Sequence, residues 1–273
     1  ASSGATAKTS YRFSGERFET QGYRENGSLL RHDVGLQIGH AFDPTLETKW
    51  TFGYHEDEYG LPGALREDEI LARGRRATKY PQDSASATDW FHQIEIDRDL
   101  EDNGKLQTNF SVRTRTVDST YVSSGWRNEN YILTIGATPK YTLNSLIGDK
   151  ENTFLAGFDL YYVRDNILDG AISGSNDNIR IAKNSQGFYL QDQLQILPRI
   201  SLKAGFRREA AQYNFRQLGQ FELKETSRLA DEVYQAGGVY LWSDASQIFI
   251  NYGTSFRYPL VDEFFSSYNP LWG

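Results

Sequence analysis

Residues 247–256, QIFINYGTSF, alternate without a break: Ile248, Ile250, Tyr252, Thr254 and Phe256 fall on one face, and Gln247, Phe249, Asn251, Gly253 and Ser255 on the other. A period of two held over ten residues specifies a β-strand, because successive side chains of an extended backbone point to opposite sides. The apolar face so formed has to lie against a protein core or against lipid. The choice depends on how often the pattern recurs and on what occupies the opposite faces.

The pattern recurs along the chain. Eleven strands are predicted, over residues 9–18, 29–40, 48–57, 88–99, 105–117, 127–140, 152–164, 182–194, 200–214, 231–241 and 247–256. Val34, Leu36 and Ile38 oppose Gly35, Gln37 and Gly39, while Trp50, Phe52 and Tyr54 oppose Thr51, Gly53 and His55. Compact links (AFDPT, LEDNG, QILPR, WSDAS) have the Asp, Asn, Gly and Pro that tight reversals need. They alternate with longer links over residues 58–87, 165–181 and 215–230. Turns at one rim and loops at the other predict an all-β, antiparallel, up-and-down transmembrane barrel. The competing fold is a soluble barrel or sandwich with the apolar face inward. Glu95, Asp97, Arg113 and Arg115 lie in strand interiors, where a water-filled lumen tolerates charge and lipid does not. They are therefore expected to line the lumen, with Glu95 and Asp97 solvated or paired with Arg113 or Arg115 on the next strand.

Composition narrows the remaining possibilities. No apolar run approaches the roughly 20 residues of a spanning helix, but a spanning strand needs only about 9 to 11, half of them apolar, so a mean hydropathy of −0.60 is compatible with a barrel. A net charge of −7 argues against a nucleic-acid partner, which requires a basic face to displace counterions. With no cysteine there are no disulfides, thiolate metal sites or cysteine nucleophiles.

Three strings resemble the barrel domain of a TonB-dependent outer-membrane receptor. They are ETQGYRENG (residues 19–27), GYHEDEYGLPGAL (53–65) and YGTSFRYPLVDEFF (252–265). In the last, Gly253, Phe256, Arg257, Pro259 and Glu263 match the family's Gly-x-x-Phe-Arg-x-Pro-x-x-x-Glu segment, with Tyr258 where Ala is common. The resemblance implies a barrel of about 22 strands, of which residues 1–273 would supply about eleven. A plug domain, a TonB-interaction segment and the C-terminal strands would lie outside this chain. It further implies a bacterial outer-membrane location and energised uptake of a scarce, bulky nutrient, foremost a ferric siderophore. Outer-membrane lipid, lipopolysaccharide and, through the plug, the TonB system are the implied partners. A passive porin-like or adhesive barrel is the alternative.

The link over residues 58–87 gathers Arg73, Arg75 and Arg76 in an acidic chain. These arginines are candidate contacts for an anionic ligand or for lipopolysaccharide phosphate. Tyr59 and Trp126, placed in loops, are candidates to stack on that ligand. Tyr121, Trp126, Tyr131, Tyr161 and Tyr162 fall near strand ends, where an aromatic girdle meets the lipid–water interface. His55, Glu56, Asp57 and Glu58 alternate in direction and converge poorly on a metal. No catalytic motif, metal site or cofactor is expected.

Overall fold

A computed structural model describes residues 1–174, 176–219 and 222–258. Its strands are β1 (Ser2–Ala5), β2 (Thr9–Thr20), β3 (Leu29–Asp43), β4 (Leu46–Gly60), β5 (Ser84–Asp99), β6 (Lys105–Tyr121), β7 (Trp126–Ile147), β8 (Lys150–Ala171), β9 (Asn176–Leu197), β10 (Ile200–Leu218), β11 (Leu223–Ser243) and β12 (Ser246–Gly253), with one helix, α1 (Glu67–Arg73), between β4 and β5. All twelve form a single sheet in chain order, every neighbour antiparallel. The eleven predicted strands correspond to β2–β12, although β12 ends at Gly253, three residues short of the predicted Phe256; β1, at four residues, is too short for alternation to register.

Residues directly opposite in an antiparallel ladder share a face, so the register sorts the whole sheet. One row runs Phe13–Leu36–Phe52–His92–Val112–Ile135–Tyr162 through β2–β8. Its neighbour, one pair toward the opposite rim, runs Tyr11–Ile38–Trp50–Ile94–Phe110–Ala137–Leu160. Cross-strand rings pack along this belt, with Tyr54–Trp90 centroids 4.5 Å apart, Phe52–His92 5.1 Å and Phe158–Phe188 5.1 Å. The opposite face carries the ion pairs Lys49–Glu95 at 2.5 Å, Lys105–Asp97 at 3.1 Å, Arg207–Asp159 at 2.6 Å, and Arg113–Asp89, whereas Arg208–Glu232 and Arg127–Asp118 stand on the belt face.

Two of the three long links predicted from sequence are mostly strand. Residues 165–171 extend β8, 176–181 begin β9, 215–218 complete β10 and 223–230 begin β11. Alternation does not stop there; it changes sides. On β9 the belt face carries Phe188 and Leu190, but beyond them the apolar residues are Ile181 and Ile179, on the ion-pair face. On β10, Phe206 is a belt residue whereas Ala211, Tyr213 and Phe215 face the other way. These residues of the ion-pair face make a buried cluster with Ile167, Leu223, Leu229 and Tyr258 packed against it. The parity of apolar side chains thus inverts partway up β8–β11, without a register shift in these segments.

Candidate functional site

At the rim where β2, β4 and β6 end, the one true long connection, residues 61–83, folds into a cap. Arg24, in the β2–β3 link, donates from its guanidinium to the backbone carbonyls of Gly63, Pro62 and Ala77. Asn26 takes a left-handed φ of 53°, and its amide donates to the Tyr80 and Asp83 carbonyls at 2.7 and 2.8 Å. Asp83, 1% exposed, accepts from the Ser123 amide at 2.9 Å and hydroxyl at 2.6 Å, tying the cap to the β6–β7 turn. Within the cap, α1 starts with Glu67, Asp68 and Glu69 at its positive end. The Arg66 backbone N–H, then the Lys79 ammonium, hold the Glu69 carboxyl below its usual range.

The sequence-predicted ligand residues are distributed around this cap. Arg73 donates to the Thr78 carbonyl and the Arg76 guanidinium lies 5.6 Å from the Tyr23 ring centre, so both serve the cap's own structure. Arg75 is exposed. Tyr59 and Trp126 are on strands β4 and β7 rather than in loops, both on the ion-pair face. The register row Tyr59–Ala85–Ser119–Asn128 separates Tyr59 from the Trp126 strand by three strand spacings, about 14 Å. The Trp126 indole donates to Asp169 at 2.8 Å. Of the expected girdle, Tyr131 and Tyr162 share the belt face, whereas Tyr121, Trp126 and Tyr161 face the other way; a one-residue change in position is a change of face. The anchors Arg24, Asn26 and Asp83 escape sequence reading because their partners, mostly backbone groups, are about 40 to 60 positions away and leave no local pattern.

Glu95, Asp97, Arg113 and Arg115 all lie on the ion-pair face, but with partners other than those expected. Glu95 is opposite Asn109, four positions from Arg113 and so about 13 Å short of it. Lys49, its direct partner on β4, takes it instead, while Lys105 takes Asp97 and Arg113 takes Asp89. Arg115 stands opposite Asp89 in the register, whose carboxylate Arg113 already holds. On the same face Arg207 spans β9 to reach Asp159, and Gly187 makes this possible: a Cβ there would sit 2.7 Å from the guanidinium. His55 bridges Asp33 and Asp57 at 2.7 and 3.2 Å. Among the described residues no group of three or more His, Asp or Glu side chains has the arrangement to hold a metal ion.

Above the belt on β8, Asp165 sits between Ile132 and Ile181 in the register, and its Oδ1 has no hydrogen-bond partner.

Twelve strands in chain order, an aromatic belt on one face and ion pairs on the other define a segment of an up-and-down β-barrel. The chain belongs to the TonB dependent receptor-like, beta-barrel family, which matches residues 5–272. Members of that family are outer-membrane barrels of Gram-negative bacteria and act as transport receptors. Its fold is similar to that of the unliganded ferric citrate transporter FecA, with a TM-score of 0.80 at 16% identity, covering 92% of this chain and 40% of that one. The open form of the ferric-catecholate import receptor Fiu from E. coli K12 gives 0.76 at 12% identity, over 93% and 51% of the two chains. The copper transporter OprC gives 0.74 at 11%, over 95% and 42%. The chain therefore spans 40–51% of these proteins. No curated protein sequence matches it.

Proposed function

We propose that this chain is the barrel portion of a TonB-dependent outer-membrane importer whose cargo is a ferric siderophore. The family match over residues 5–272 carries the reading. The activities of two structural relatives, a ferric citrate transporter and a ferric-catecholate import receptor, support an iron chelate as cargo. In this reading the belt face meets lipid and the ion-pair face, with Glu95, Asp97, Arg113 and Arg115, lines the lumen. The cap lies at the extracellular mouth, where Arg75 is the cation most available to an anionic chelate. Arg73, Arg76, Tyr59 and Trp126 complete the candidate contacts. Transport needs no covalent chemistry from these residues: they bind and orient cargo, while the TonB system acts through a plug domain belonging to the longer polypeptide.

The test is accumulation of radiolabelled iron, supplied as a panel of ferric siderophores, by cells carrying the full-length protein. Accumulation is expected to require TonB and an energised inner membrane. Uptake that persists without TonB would instead identify a passive barrel. Arg75→Ala is expected to weaken binding of the transported chelate to the purified receptor about tenfold, the loss of one charge-assisted contact. An unchanged Kd would remove the cap arginine from the ligand site.

A further inference from the structure

The alternation that predicts a strand to Phe256 outlasts β12, which ends at Gly253. Its neighbour β11 runs on without it: the paired residues of β11 begin at Gln235, so among the described residues 223–233 have no strand on that side. Thr254 closes the ladder. Its N–H donates to the Tyr234 carbonyl, and its hydroxyl, in place of its own carbonyl, accepts from the Tyr234 N–H, both at 3.0 Å. Successive residues of a strand turn their N–H and C=O to opposite sides. With Tyr234 turned toward β12, Glu232 and Ala230 are turned the same way, and their four ladder groups stand open.

The chain instead crosses β11 to the ion-pair face. Ser255 and Arg257 are exposed, whereas Phe256 and Tyr258 are half-buried with ring centres 4.8 Å apart. The Tyr258 hydroxyl donates to the Glu209 carbonyl on β10 at 2.7 Å, its ring packs against the cluster of Tyr213 and Phe215, and the Lys183 ammonium on β9 lies 5.8 Å from the ring centre. Among the described residues, Ser255, Phe256 and Tyr258 make no backbone–backbone hydrogen bond, so one side chain supplies most of the attachment. A second seat needs no change of register. Continuing the β11–β12 pairing sets Ser255 opposite Val233, Phe256 opposite Glu232, Arg257 opposite Asp231 and Tyr258 opposite Ala230. Phe256 then joins Tyr234 and Tyr252 on the belt face, Arg257 and Asp231 form a cross-strand pair of opposite charge, and the backbone of Phe256 and Tyr258 closes the four open groups. Tyr258 precedes Pro259, which favours the extended backbone that this seat requires. We propose that residues 255–258 are a two-seat strand end, clamped on the ion-pair face by Tyr258 or zipped onto β11 as a continuation of β12. Clamped, Tyr258 covers the Tyr213–Phe215 cluster; zipped, it uncovers that cluster and leaves the ion-pair face. The device stands apart from the proposed transport. Only its consequence, that zipping clears this stretch of lumen wall, rests on that reading.

Hydrogen exchange in the full-length receptor in detergent reads the seat at the Ala230 and Glu232 amides, with Gly238, paired with Ile250, as the control for an intact ladder. Both amides are expected to exchange fast in the parent. In Tyr258→Ala they are expected to gain at least about tenfold protection, the effect of one or two ladder bonds, while Gly238 is unchanged. Losing a merely structural anchor would fray its neighbours and protect nothing. A disulfide gives an independent reading, since this chain has no cysteine. Phe256→Cys and Glu232→Cys face each other in the zipped seat, at a separation a disulfide spans, whereas in the clamped seat Phe256 stacks on Tyr258 and Glu232 stands on the opposite face. Linked peptides, identified by mass after mild oxidation, are expected to form about tenfold faster when Tyr258→Ala is added, matching the shift in exchange. Unchanged exchange at Ala230 and Glu232 in Tyr258→Ala, or a disulfide rate indifferent to Tyr258, would overturn the inference. Both readouts hold whichever face meets lipid and whatever the cargo, so their failure is distinct from failure of the transport reading.

Discussion

Arg24→Ala is expected to release the cap over residues 61–83 while leaving the strands intact. One guanidinium gathers three carbonyls from both ends of the cap, at Pro62, Gly63 and Ala77; Pro62 keeps the Lys79 N–H and the Thr78 hydroxyl, but Gly63 and Ala77 lose their side-chain donor. Hydrogen bonds to a charged group are worth about 1.5 to 3 kcal/mol, and stranding part-buried acceptors adds to the loss. A local cost of about 3 kcal/mol corresponds to roughly a hundredfold larger opening equilibrium. The amides of Leu61 and Lys79, bonded to the Asp83 and Pro62 carbonyls, report it directly by hydrogen exchange in the full-length receptor. Arg17→Ala, which removes an exposed pair with Glu19, serves as the control and should leave both amides as they were. Unchanged protection in Arg24→Ala would mean that Asn26 and the Asp83–Ser123 link hold the cap alone. Proteolysis at Ala77 and Thr78 offers a second reading of the same event, since these residues lie just beyond α1 and are buried while the cap is closed.

The strands were legible because lipid, or any apolar partner, imposes one rule on every strand that meets it. Ile248 and Ile250 obey the same alternation as Leu36 and Ile38, and a reader of either string arrives at the same architecture. What escaped was the place where the rule inverts. Ile179, Ile181, Tyr213 and Phe215 alternate as regularly as Phe188 and Phe206, but on the other face, and a search for one continuous apolar stripe stops at the change and reports a loop. The proposed reading supplies a physical cause: where the belt face of a strand passes from hydrocarbon into water, apolar side chains gain by turning to the other face. The site was less legible still. Arg73, Arg75 and Arg76 were identified as a charge cluster, yet what separates Arg75 from the other two is a carbonyl at Thr78 and a ring at Tyr23, neither of which a charge count reveals. Glu95 and Asp97 share one face with Arg113 and Arg115, as parity requires, but bond to Lys49 and Lys105 instead, since the face follows from parity alone and the partner follows from register.

The inversion makes the largest prediction, because it requires the same substitution to be costly on opposite faces at two heights. In the belt, Phe110 lies between Ile94 and Ala137, and Phe110→Arg is expected to cost about 2 to 4 kcal/mol, as for a cation near the bilayer midplane. Its neighbour Asn109 lies opposite Glu95 and Thr138, so Asn109→Arg is expected to change stability by less than about 1 kcal/mol. Higher up, the order reverses. Phe215, 3% exposed on the ion-pair face, is expected to lose at least about 3 kcal/mol on becoming Arg, through lost packing and a buried, unpaired charge. Asn214, on the belt face above the lipid, accepts Arg at little cost, with water on that side. Denaturant unfolding of the four single variants in lipid vesicles, with the full-length protein, decides the matter. Were the Phe110 and Asn109 variants to unfold at the same midpoint, the belt would not be facing hydrocarbon. Were Asn214→Arg to cost as much as Phe110→Arg, the hydrocarbon would extend past Tyr162, and the change of face by the apolar side chains would need another cause.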